Sequence, residues 1–360
     1  MKKRFALIPL ALVAAQAATA ADSGVTVFGV MDNNVTYEKA GDRHMTTVGS
    51  SGNVFSRLGF RGTEDLGDGM SAGFWLEMGL FSDSGTLLTT STNNQGAPAA
   101  GTFSRRATVS LEGSFGEIRL GRDHTPTFWS TALFDPFGTG GGIGANHLYF
   151  DSLVNGFKPT GTRASNSVGY FLPRNLGGVY GQLMFAVGEL GAGTANAHDG
   201  DYSGARIGWT DGKFNGALAY GVTKYASGDY MQANLGLSYV FDASLNSLKL
   251  MSEIYSDSIG APAAGGTTQR GHGALIGFQL PVGFGTVKGA YALYKTNAVN
   301  DPSSSRVSLG YVYNLSKRSS VYATAAHVSN RHGSTASLGG ITDPLAGATS
   351  GVQTGITHVF

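Results

Sequence analysis

Positively charged side chains recur at alternate positions in segments whose other positions are apolar. In the stretch SRLGFRGTEDLGDGMSAGFWLEMGL, which starts at residue 56, Arg57 and Arg61 alternate with Leu58 and Phe60. After a turn rich in glycine and acid the alternation resumes, with Glu77 on the polar side. Successive side chains of a strand point to opposite faces. The arginines and Glu77 therefore share one face, where they can bind or steer ions instead of packing in an apolar core.

Applied to the other strand-like segments, the same alternation assigns many charged residues to one interior surface. If the apolar faces meet lipid, the polar faces must enclose water, since a charge facing lipid at mid-membrane costs roughly 2–4 kcal/mol. Nine basic and five acidic residues then face inward: Arg57, Arg61, Arg106, Arg119, Arg163, Arg206, Lys249, Lys288 and Arg306, with Asp32, Glu77, Glu112, Glu117 and Glu253. The basic excess predicts an interior that favours anions.

The histidines and glycines do not form a recognisable catalytic, metal or nucleotide motif. His124 and His147 flank Ser130, but no nucleophile elbow accompanies them. His327 and His332 lack the spacing of metal ligands, and the glycines of GTGGGIGANHL neither follow a buried strand nor open an amphipathic helix. The sequence therefore predicts no enzymatic activity, no metal site and no cofactor.

The first twenty residues have the organisation of a bacterial secretory signal peptide. A basic start, KKR, precedes an apolar run, and the small residues ATA at positions 18–20 provide a cleavage site. The alternative is a membrane anchor, but a spanning helix needs about 20 apolar residues, more than this run contains. We therefore predict a signal peptide over residues 1–20 and a mature chain over residues 21–360.

The composition excludes several classes of protein. The chain has 25 Lys+Arg, 24 Asp+Glu, 55 glycines and no cysteine. Loss of the basic start KKR leaves 22 basic against 24 acidic residues, without the basic excess of a nucleic-acid-binding protein. Without cysteine there is no disulfide or thiol chemistry. No later segment reaches about 18 consecutive apolar residues, so a membrane-embedded form must be a closed barrel.

Sixteen strand-like stretches with period-two alternation follow the leader. The clearest runs from Tyr230 to Phe241, where apolar residues alternate with polar residues and glycine. Short turns separate the stretches at one end, and most of the longer links lie near 38–50, 81–102, 123–162, 190–202, 258–270 and 331–350. Short turns at one end and long loops at the other are typical of outer-membrane barrels.

Several motifs spread over the mature chain are similar to those of one family: VTVFGVMDNNV, SRLGFRGTEDLGDGM, FSRRATVSLEGSFGEIRLGRDHTP, DPFG, RASNSVGY, YNLSKRSSVYA and the terminal HVF. With these motifs the chain resembles the trimeric general porins of Gram-negative outer membranes, of the β-proteobacterial and neisserial type. The resemblance implies an all-β, 16-stranded antiparallel transmembrane barrel with short periplasmic turns and long extracellular loops. It also implies a homotrimer and a third loop, residues 123–162, folded into the pore.

The resemblance further implies a role for the last residue, since a terminal strand that ends in phenylalanine is similar to the signal read by the barrel-assembly machinery. We therefore expect Phe360 to be an assembly signal. We also expect the outer face to contact outer-membrane lipid and lipopolysaccharide. Calcium or lipopolysaccharide binding at acids of the loops remains open.

The family concentrates arginines on the barrel wall at the constriction, opposite acids on the inward loop. Carried over by motif, the arginines are Arg57, Arg105, Arg106 and Arg163, and the loop acids are Asp123, Asp135 and Asp151. Strand parity favours Arg106, whereas the family's single arginine aligns better with Arg105, so both remain candidates. Other expected lumen charges are Arg61, Arg119, Arg206, Lys249, Lys288 and Glu77. A field between such groups filters ions by sign.

Together these observations predict an outer-membrane channel for passive diffusion of ions and small hydrophilic solutes, with a modest preference for anions. One alternative is a channel selective for a single solute, which a micromolar solute would block. The other is a secreted β-rich adhesin or enzyme, which would fractionate with the periplasm or the medium. Neither nucleic acid nor a cofactor is an expected partner.

Overall fold

Side chains along each strand alternate between an exposed outer face and an enclosed inner face. In the strand Tyr230–Val240, Leu235 and Leu237 are exposed, whereas Gln232 and Asn234 are buried. This pattern is that of a sheet with an apolar outside and a polar inside. The computed structural model describes residues 24–95, 101–138, 140, 142–145, 160–260, 267–341, 343 and 347–360. The predicted signal peptide, residues 1–20, lies outside the described residues.

The described residues form eighteen strands, one α-helix and one short 3-10 helix at Ala243–Leu245. The helix is α1, Pro126–Phe134. The strands are β1 Thr26–Ala40, β2 Arg43–Ser50, β3 Arg57–Gly67, β4 Met70–Phe81, β5 Thr86–Leu87, β6 Arg106–Gly113, β7 Gly116–His124, β8 Arg163–Phe171, β9 Val179–Ala186, β10 Tyr202–Thr210, β11 Phe214–Thr223, β12 Tyr230–Val240, β13 Lys249–Ile259, β14 Gln269–Val282, β15 Gly285–Thr296, β16 Ser303–Asn314, β17 Ser319–Arg331 and β18 Ala348–Val359.

These strands make a barrel of sixteen, because β2 and β3 are two parts of one barrel strand. β1 pairs with β2 along residues 33–40 and with β3 along residues 26–30, and residues 51–56 interrupt the strand between them. β5 has 2 residues and pairs with the end of β4. All neighbouring strands pair antiparallel, so the predicted 16-stranded antiparallel barrel is confirmed.

The first and last strands close the barrel. β1 pairs with β18 along residues 30–40, and Gly29 and Phe360 exchange backbone hydrogen bonds of 3.0 and 3.1 Å. Gly29 has no side chain, and the ring of Phe360 occupies the space where its Cβ would stand. Pairing of β1 with β18 removes the free edges that these two strands would otherwise present.

The two ends of the barrel differ. Short turns such as 68–69, 114–115 and 283–284 lie at the end that also holds the C-terminus, which we call the short-turn end. In one of these turns Asp211 Oδ1 accepts hydrogen bonds from the backbone N–H groups of Phe214 and Lys213, at 2.7 and 2.9 Å, which lower the pKa of this carboxyl. Longer connections, such as 125–162 and 187–201, lie at the opposite end.

The segment 38–50, predicted as a long loop, is instead the top of a hairpin. β1 continues to Ala40 and β2 starts at Arg43, so a two-residue turn joins them, with Gly41 at φ 57°. Polar residues such as Lys39 and His44 face each other in this ladder. Because both faces of the hairpin carry polar residues, the alternation that reveals the other strands is weak here.

One carboxylate holds the interruption between β2 and β3. Asp32, on β1, accepts hydrogen bonds from the backbone N–H groups of residues 52–54 at 2.9, 3.2 and 3.0 Å. The hydroxyls of Tyr322 and Thr357 donate to the same carboxylate at 2.7 Å each. Asp32 is fully buried, and the five donors satisfy both of its carboxylate oxygens.

The connection between β7 and β8 folds into the barrel, as predicted for the third loop. Its helix α1 packs against the inner faces of β9 to β13. Phe134 is fully buried and lies over Gly236, where a Cβ would come within 1.9 Å of the ring. Asn234 Nδ2 donates to the carbonyl of Thr127 at 3.0 Å. At 9 residues α1 is too short to cross a membrane, and no other helix in the described ranges is long and apolar enough.

Candidate functional site

The inward loop divides the lumen into two unlike surfaces. After α1, the carbonyl of Pro136 accepts a hydrogen bond from Gln279 Nε2 at 2.7 Å, and Arg306 donates to the carbonyl of Ile143. The loop therefore covers the inner face of β10 to β16, which we call the loop-backed wall. The inner face of β3, β4, β6, β7 and β8 lies on the other side of the lumen, and we call it the arginine wall.

Two arginines of the arginine wall approach the same carboxylate. Glu77, on β4, is 6% exposed, and its Oε1 lies 2.5 Å from Arg105 Nε and 3.8 Å from Arg57 Nη1. Trp75 Nε1 donates to the other oxygen, Oε2, at 3.1 Å. Because one carboxylate faces two guanidinium groups, this cluster carries a net positive charge.

Both Arg105 and Arg106, which the sequence left as alternatives, turn towards the lumen. Arg106 is opposite Glu77 in the β4–β6 ladder and so shares its inner face. Arg105 precedes the first residue of β6, so strand alternation does not apply to it, and its side chain reaches Glu77. Arg106 Nε donates to Thr108 Oγ1 at 3.0 Å and lies 3.9 Å from Asp123 Oδ1.

Arg119 is balanced by acids of its own strand. Its Nε and Nη2 donate to the two oxygens of Glu117 at 2.6 and 2.8 Å, and its Nη1 donates to Asp123 Oδ2 at 2.9 Å. The guanidinium also lies 3.8 Å from the centre of the Phe171 ring. Arg119 therefore contributes less uncompensated charge to the lumen than Arg57 or Arg105.

Arg163 is held by rings. It is 6% exposed, and its Nη2 lies 2.9 Å from His124 Nε2. Its guanidinium carbon is 5.9 Å from the centre of the Phe128 ring, which stacks on His124 at 4.9 Å. These contacts fix the position of the guanidinium where β8 meets the start of the inward loop.

The predicted loop acids occupy unexpected positions. Asp123 lies within β7 instead of on the loop, and it pairs with Arg119 and Arg106 on the arginine wall. Asp135 follows α1 and is 3% exposed, and its Oδ1 accepts a hydrogen bond from the backbone N–H of Phe137 at 2.9 Å. Asp151 lies outside the described residues. The described loop thus presents no acid to open water opposite the arginines.

Several other predicted lumen charges lie on the loop-backed side. Lys288 Nζ is 3.4 Å from Asn53 Oδ1 and 5.9 Å from the centre of the Phe137 ring on the loop. Arg306 is 2% exposed beneath the loop, and Lys249 is half-buried at the start of β13. Arg206, on β10, lies 5.2 Å from the centre of the Tyr180 ring. All four lie on the inward faces of their strands, and the loop contacts Lys288 and Arg306.

Sequence reasoning missed three residues of the interior. Trp75 and Phe28 lie on the inner face near Arg61, with their ring centres 5.0 Å apart. Trp75 is two residues from Glu77, so the parity used for the charges would have found it. Arg122 joins β7 to the connection that precedes β6, since its Nε donates to the Ser104 carbonyl at 2.7 Å. Strand parity did not identify Arg122, because the register between β7 and β8 shifts at this point, beside Gly121 at φ 124°.

This arrangement can separate ions by sign. In the part of the arginine wall around Glu77 and Asp123, five guanidinium groups lie near three carboxylates: Arg57, Arg105, Arg106, Arg119 and Arg163 against Glu77, Glu117 and Asp123. Fixed charges along a narrow aqueous passage act strongly because low-dielectric walls focus their field. The described part of the chain contains no group of three His, Cys, Asp or Glu side chains that could hold a metal ion.

Comparison with known proteins agrees with this geometry. A family model described as Gram-negative porin matches residues 6–333. The chain is 38% identical over 377 residues to outer membrane porin protein 32 of Delftia acidovorans, and the match covers 100% of both chains. An anion-selective porin from Comamonas acidovorans superposes with a TM-score of 0.82 at 34% identity, covering 94% of this chain and 100% of that one.

A more distant structure has the same fold. The trimer form of OmpT, an outer membrane protein of Vibrio cholerae, superposes with a TM-score of 0.66 at 13% identity, covering 94% of this chain and 99% of that one. The family match spans most of the sequence and coincides with a closed barrel, an inward loop and a charged lumen. The chain therefore belongs to the Gram-negative porin family and is a non-enzymatic channel of the outer membrane.

Proposed function

We propose that this porin prefers anions, and that Arg57, Arg105, Arg106 and Arg163 form one side of its constriction. Its solutes are ions and small hydrophilic molecules. The observation that carries the proposal is the excess of guanidinium groups over carboxylates on the arginine wall. This excess makes the potential beside the arginine wall positive.

The positions of these charges explain how selectivity arises without a dedicated binding site. The half-buried Arg57 and the buried Arg105 share the one carboxylate of Glu77, so a passing anion meets the donors of Arg57 beside a cluster of net positive charge. A passing cation is repelled by the same groups and finds Glu77 already engaged. Rings of charged side chains in other channels select ions in this way. A relative with 34% identity, from Comamonas acidovorans, is described as anion-selective, which supports the proposal.

The reversal potential of purified protein in a planar bilayer with a potassium chloride gradient tests this function. We expect the sign that corresponds to chloride preference. Arg57→Glu should move the potential towards the cation side, because it removes one positive charge and adds a negative one at a half-buried lumen position.

Lys317→Glu provides the matched control, since it makes the same charge change in the turn between β16 and β17, on the exposed short-turn end. It should leave the potential near that of the parent protein. A cation preference of the parent protein, or equal shifts from the two variants, would contradict the proposal.

We also propose that the chain assembles as a homotrimer surrounded by outer-membrane lipid and lipopolysaccharide. Outward side chains such as Val35, Leu235 and Ile254 are exposed on the single chain and need apolar surroundings. A trimer form is described for OmpT of Vibrio cholerae, which shares the fold. Native mass spectrometry in detergent should give three times the mass of the mature chain, and a single-chain mass would contradict this assembly.

Two proposals concern maturation. Residues 1–20 are removed on export. N-terminal sequencing of the membrane protein tests this, since the mature chain should start at Ala21.

The second proposal is that Phe360 is recognised by the barrel-assembly machinery. Its backbone pairs with Gly29 at the closure of the barrel, and 45% of the residue remains exposed. Phe360→Ala should reduce the amount of assembled protein in the outer membrane.

A further inference from the structure

We propose that the lumen holds a binding site for planar aromatic carboxylates, formed by Phe28, Arg61, Trp75 and Arg106. We call these four residues the aromatic ledge. The proposal rests on the anion preference proposed above, and it names one class of anion that binds inside the lumen.

The ledge lies next to the arginine cluster on the way to the short-turn end. In the β3–β4 ladder Arg57 pairs with Gly79, Gly59 with Glu77, and Arg61 with Trp75. Arg61 is four residues beyond Arg57, which corresponds to about 13 Å along a strand. A solute that has passed Arg57 therefore meets the ledge next.

The two rings of the ledge are fixed in place. Phe28 lies over Gly59, where a Cβ would stand 2.3 Å from the ring, so the glycine leaves room for it. The rings of Phe28 and Trp75 meet edge to face, 5.0 Å apart at 63°. The indole N–H of Trp75 donates to Glu77 Oε2 at 3.1 Å. An ordered aromatic surface inside an aqueous lumen loses little side-chain entropy when a flat solute contacts it.

Two guanidinium groups border these rings. The Arg61 carbon Cζ lies 5.4 Å from the centre of the Phe28 ring and 5.2 Å from that of the Trp75 ring. Arg106 Cζ lies 4.7 Å from the Trp75 ring. Arg61 is exposed, and within the described ranges it makes no ion pair. Its donors are therefore available to a solute, whereas Arg106 already contacts Thr108.

The chemistry of these groups defines the solute. A guanidinium presents parallel N–H groups that match the two oxygens of a carboxylate. Aromatic rings favour another ring, stacked or edge to face, over a saturated ring of similar size. Benzoate satisfies both requirements, while cyclohexanecarboxylate has the same charge and similar size but no aromatic ring. Contact energies at such exposed sites are small, so the solute can leave again, as a channel requires.

Reduction of the single-channel current by benzoate and by cyclohexanecarboxylate tests the proposal. We expect benzoate to act at a concentration about two- to fivefold lower, the ratio that corresponds to one exposed ring contact. Phe28→Leu should lower the ratio, and Phe28→Leu combined with Trp75→Leu should bring it close to one, because the leucines keep apolar volume and remove both rings. Trp75→Phe should retain part of the preference, since a ring remains. Arg61→Gln should weaken both anions alike.

Phe171→Leu is the matched control. Phe171 also lies against an arginine of the arginine wall, Arg119, but it is outside the ledge. This variant should keep the parent ratio. Equal action of the two anions on the parent protein overturns the proposal, and so does a benzoate preference that survives the combined Phe28→Leu and Trp75→Leu substitutions. The reversal potential in potassium chloride tests anion preference separately, so the two proposals can fail independently.

Discussion

The two sides of the lumen are built from the same kind of strand, yet their inward residues have different roles. On the arginine wall, Arg57 and Arg61 reach water and are balanced incompletely by acids. On the loop-backed wall, Asn234 and Gln279 donate hydrogen bonds to the backbone of the loop. One wall therefore acts on solutes, and the other holds in place the segment that narrows the passage.

This difference shows that facing inward and facing water are separate properties. Glu253 and Arg306 have the parity of lumen residues, but each is 2% exposed because the loop lies over them. A count of inward charges from strand parity includes them and so does not measure the potential in the passage. What matters is which charges remain beside the open part of the lumen.

Asp32 connects the arginine wall with the inward loop. Its substitution should lower the stability of the barrel more than any other change considered below. It holds residues 52–54, and the carbonyl of Gly52 lies against Gly142 of the loop. Asp32→Ala leaves several buried donors without an acceptor, at about 1–3 kcal/mol for each. We expect a clear decrease in the urea concentration needed to unfold the barrel. Asp32→Asn retains one acceptor oxygen and should cost less; equal stability of Asp32→Ala and the parent protein would contradict the role of this carboxylate.

Gly236→Val tests whether packing of α1 against the loop-backed wall keeps the passage open, and its expected effect is smaller than that of Asp32→Ala. A side chain at this position meets the ring of Phe134 at 1.9 Å, so Gly236→Val should push α1 away from β12 and into the passage. Overpacking of this kind costs about 1–3 kcal/mol. The single-channel conductance should fall as a result.

The matched control for this variant is Gly169→Ala on the arginine wall. There the nearest atom to an added Cβ is Phe171 Cε2 at 3.5 Å, which is ordinary contact. Its conductance should equal that of the parent protein. If Gly236→Val conducts normally, α1 does not depend on this contact for its position.

Neutralising a single charge should have the smallest effect, a change in ion selectivity. The size of this change should differ between the arginine wall and the loop-backed wall. Arg57→Gln should change the permeability ratio of chloride to potassium about twofold, as expected of one partly screened charge in a wide pore. Lys288→Gln should change it less, because the loop ring of Phe137 lies beside this lysine. Reversal potentials at low salt make the comparison, and a larger shift for Lys288→Gln would reverse the assignment of the two walls.

Much of the fold could be predicted from the sequence because the surroundings impose a simple rule on each strand. Leu235 and Leu237 must be apolar outside, and Gln232 and Asn234 can be polar inside, so period-two alternation identifies the strands. The rule fails in the hairpin of β1 and β2. There residues such as Lys39 and His44 carry polar groups on a segment that does not need an apolar face.

The site was less predictable because its residues lie where regular alternation stops. Arg105 precedes its strand, and the register shifts between Gly121 and Asp123. Asp123 therefore lies on the arginine wall, although the motif suggested the loop. How far the loop covers Glu253 and Arg306 depends on contacts between segments more than a hundred residues apart, such as the hydrogen bond from Arg306 to Ile143. Parity contains no information on such contacts.

The pairing of β1 with β18 has a consequence for how the protein folds. The bond from Thr357 to Asp32 joins residues 325 positions apart, and joining the ends of so long a segment costs about 5 kcal/mol in chain entropy. β1 and β18 lie at the two ends of the barrel sequence, so before closure each of them lacks its second neighbour. During that interval both strands have unpaired edges that can bind other chains. The protein is therefore most vulnerable to aggregation just before the 12 residues of β18 pair with β1.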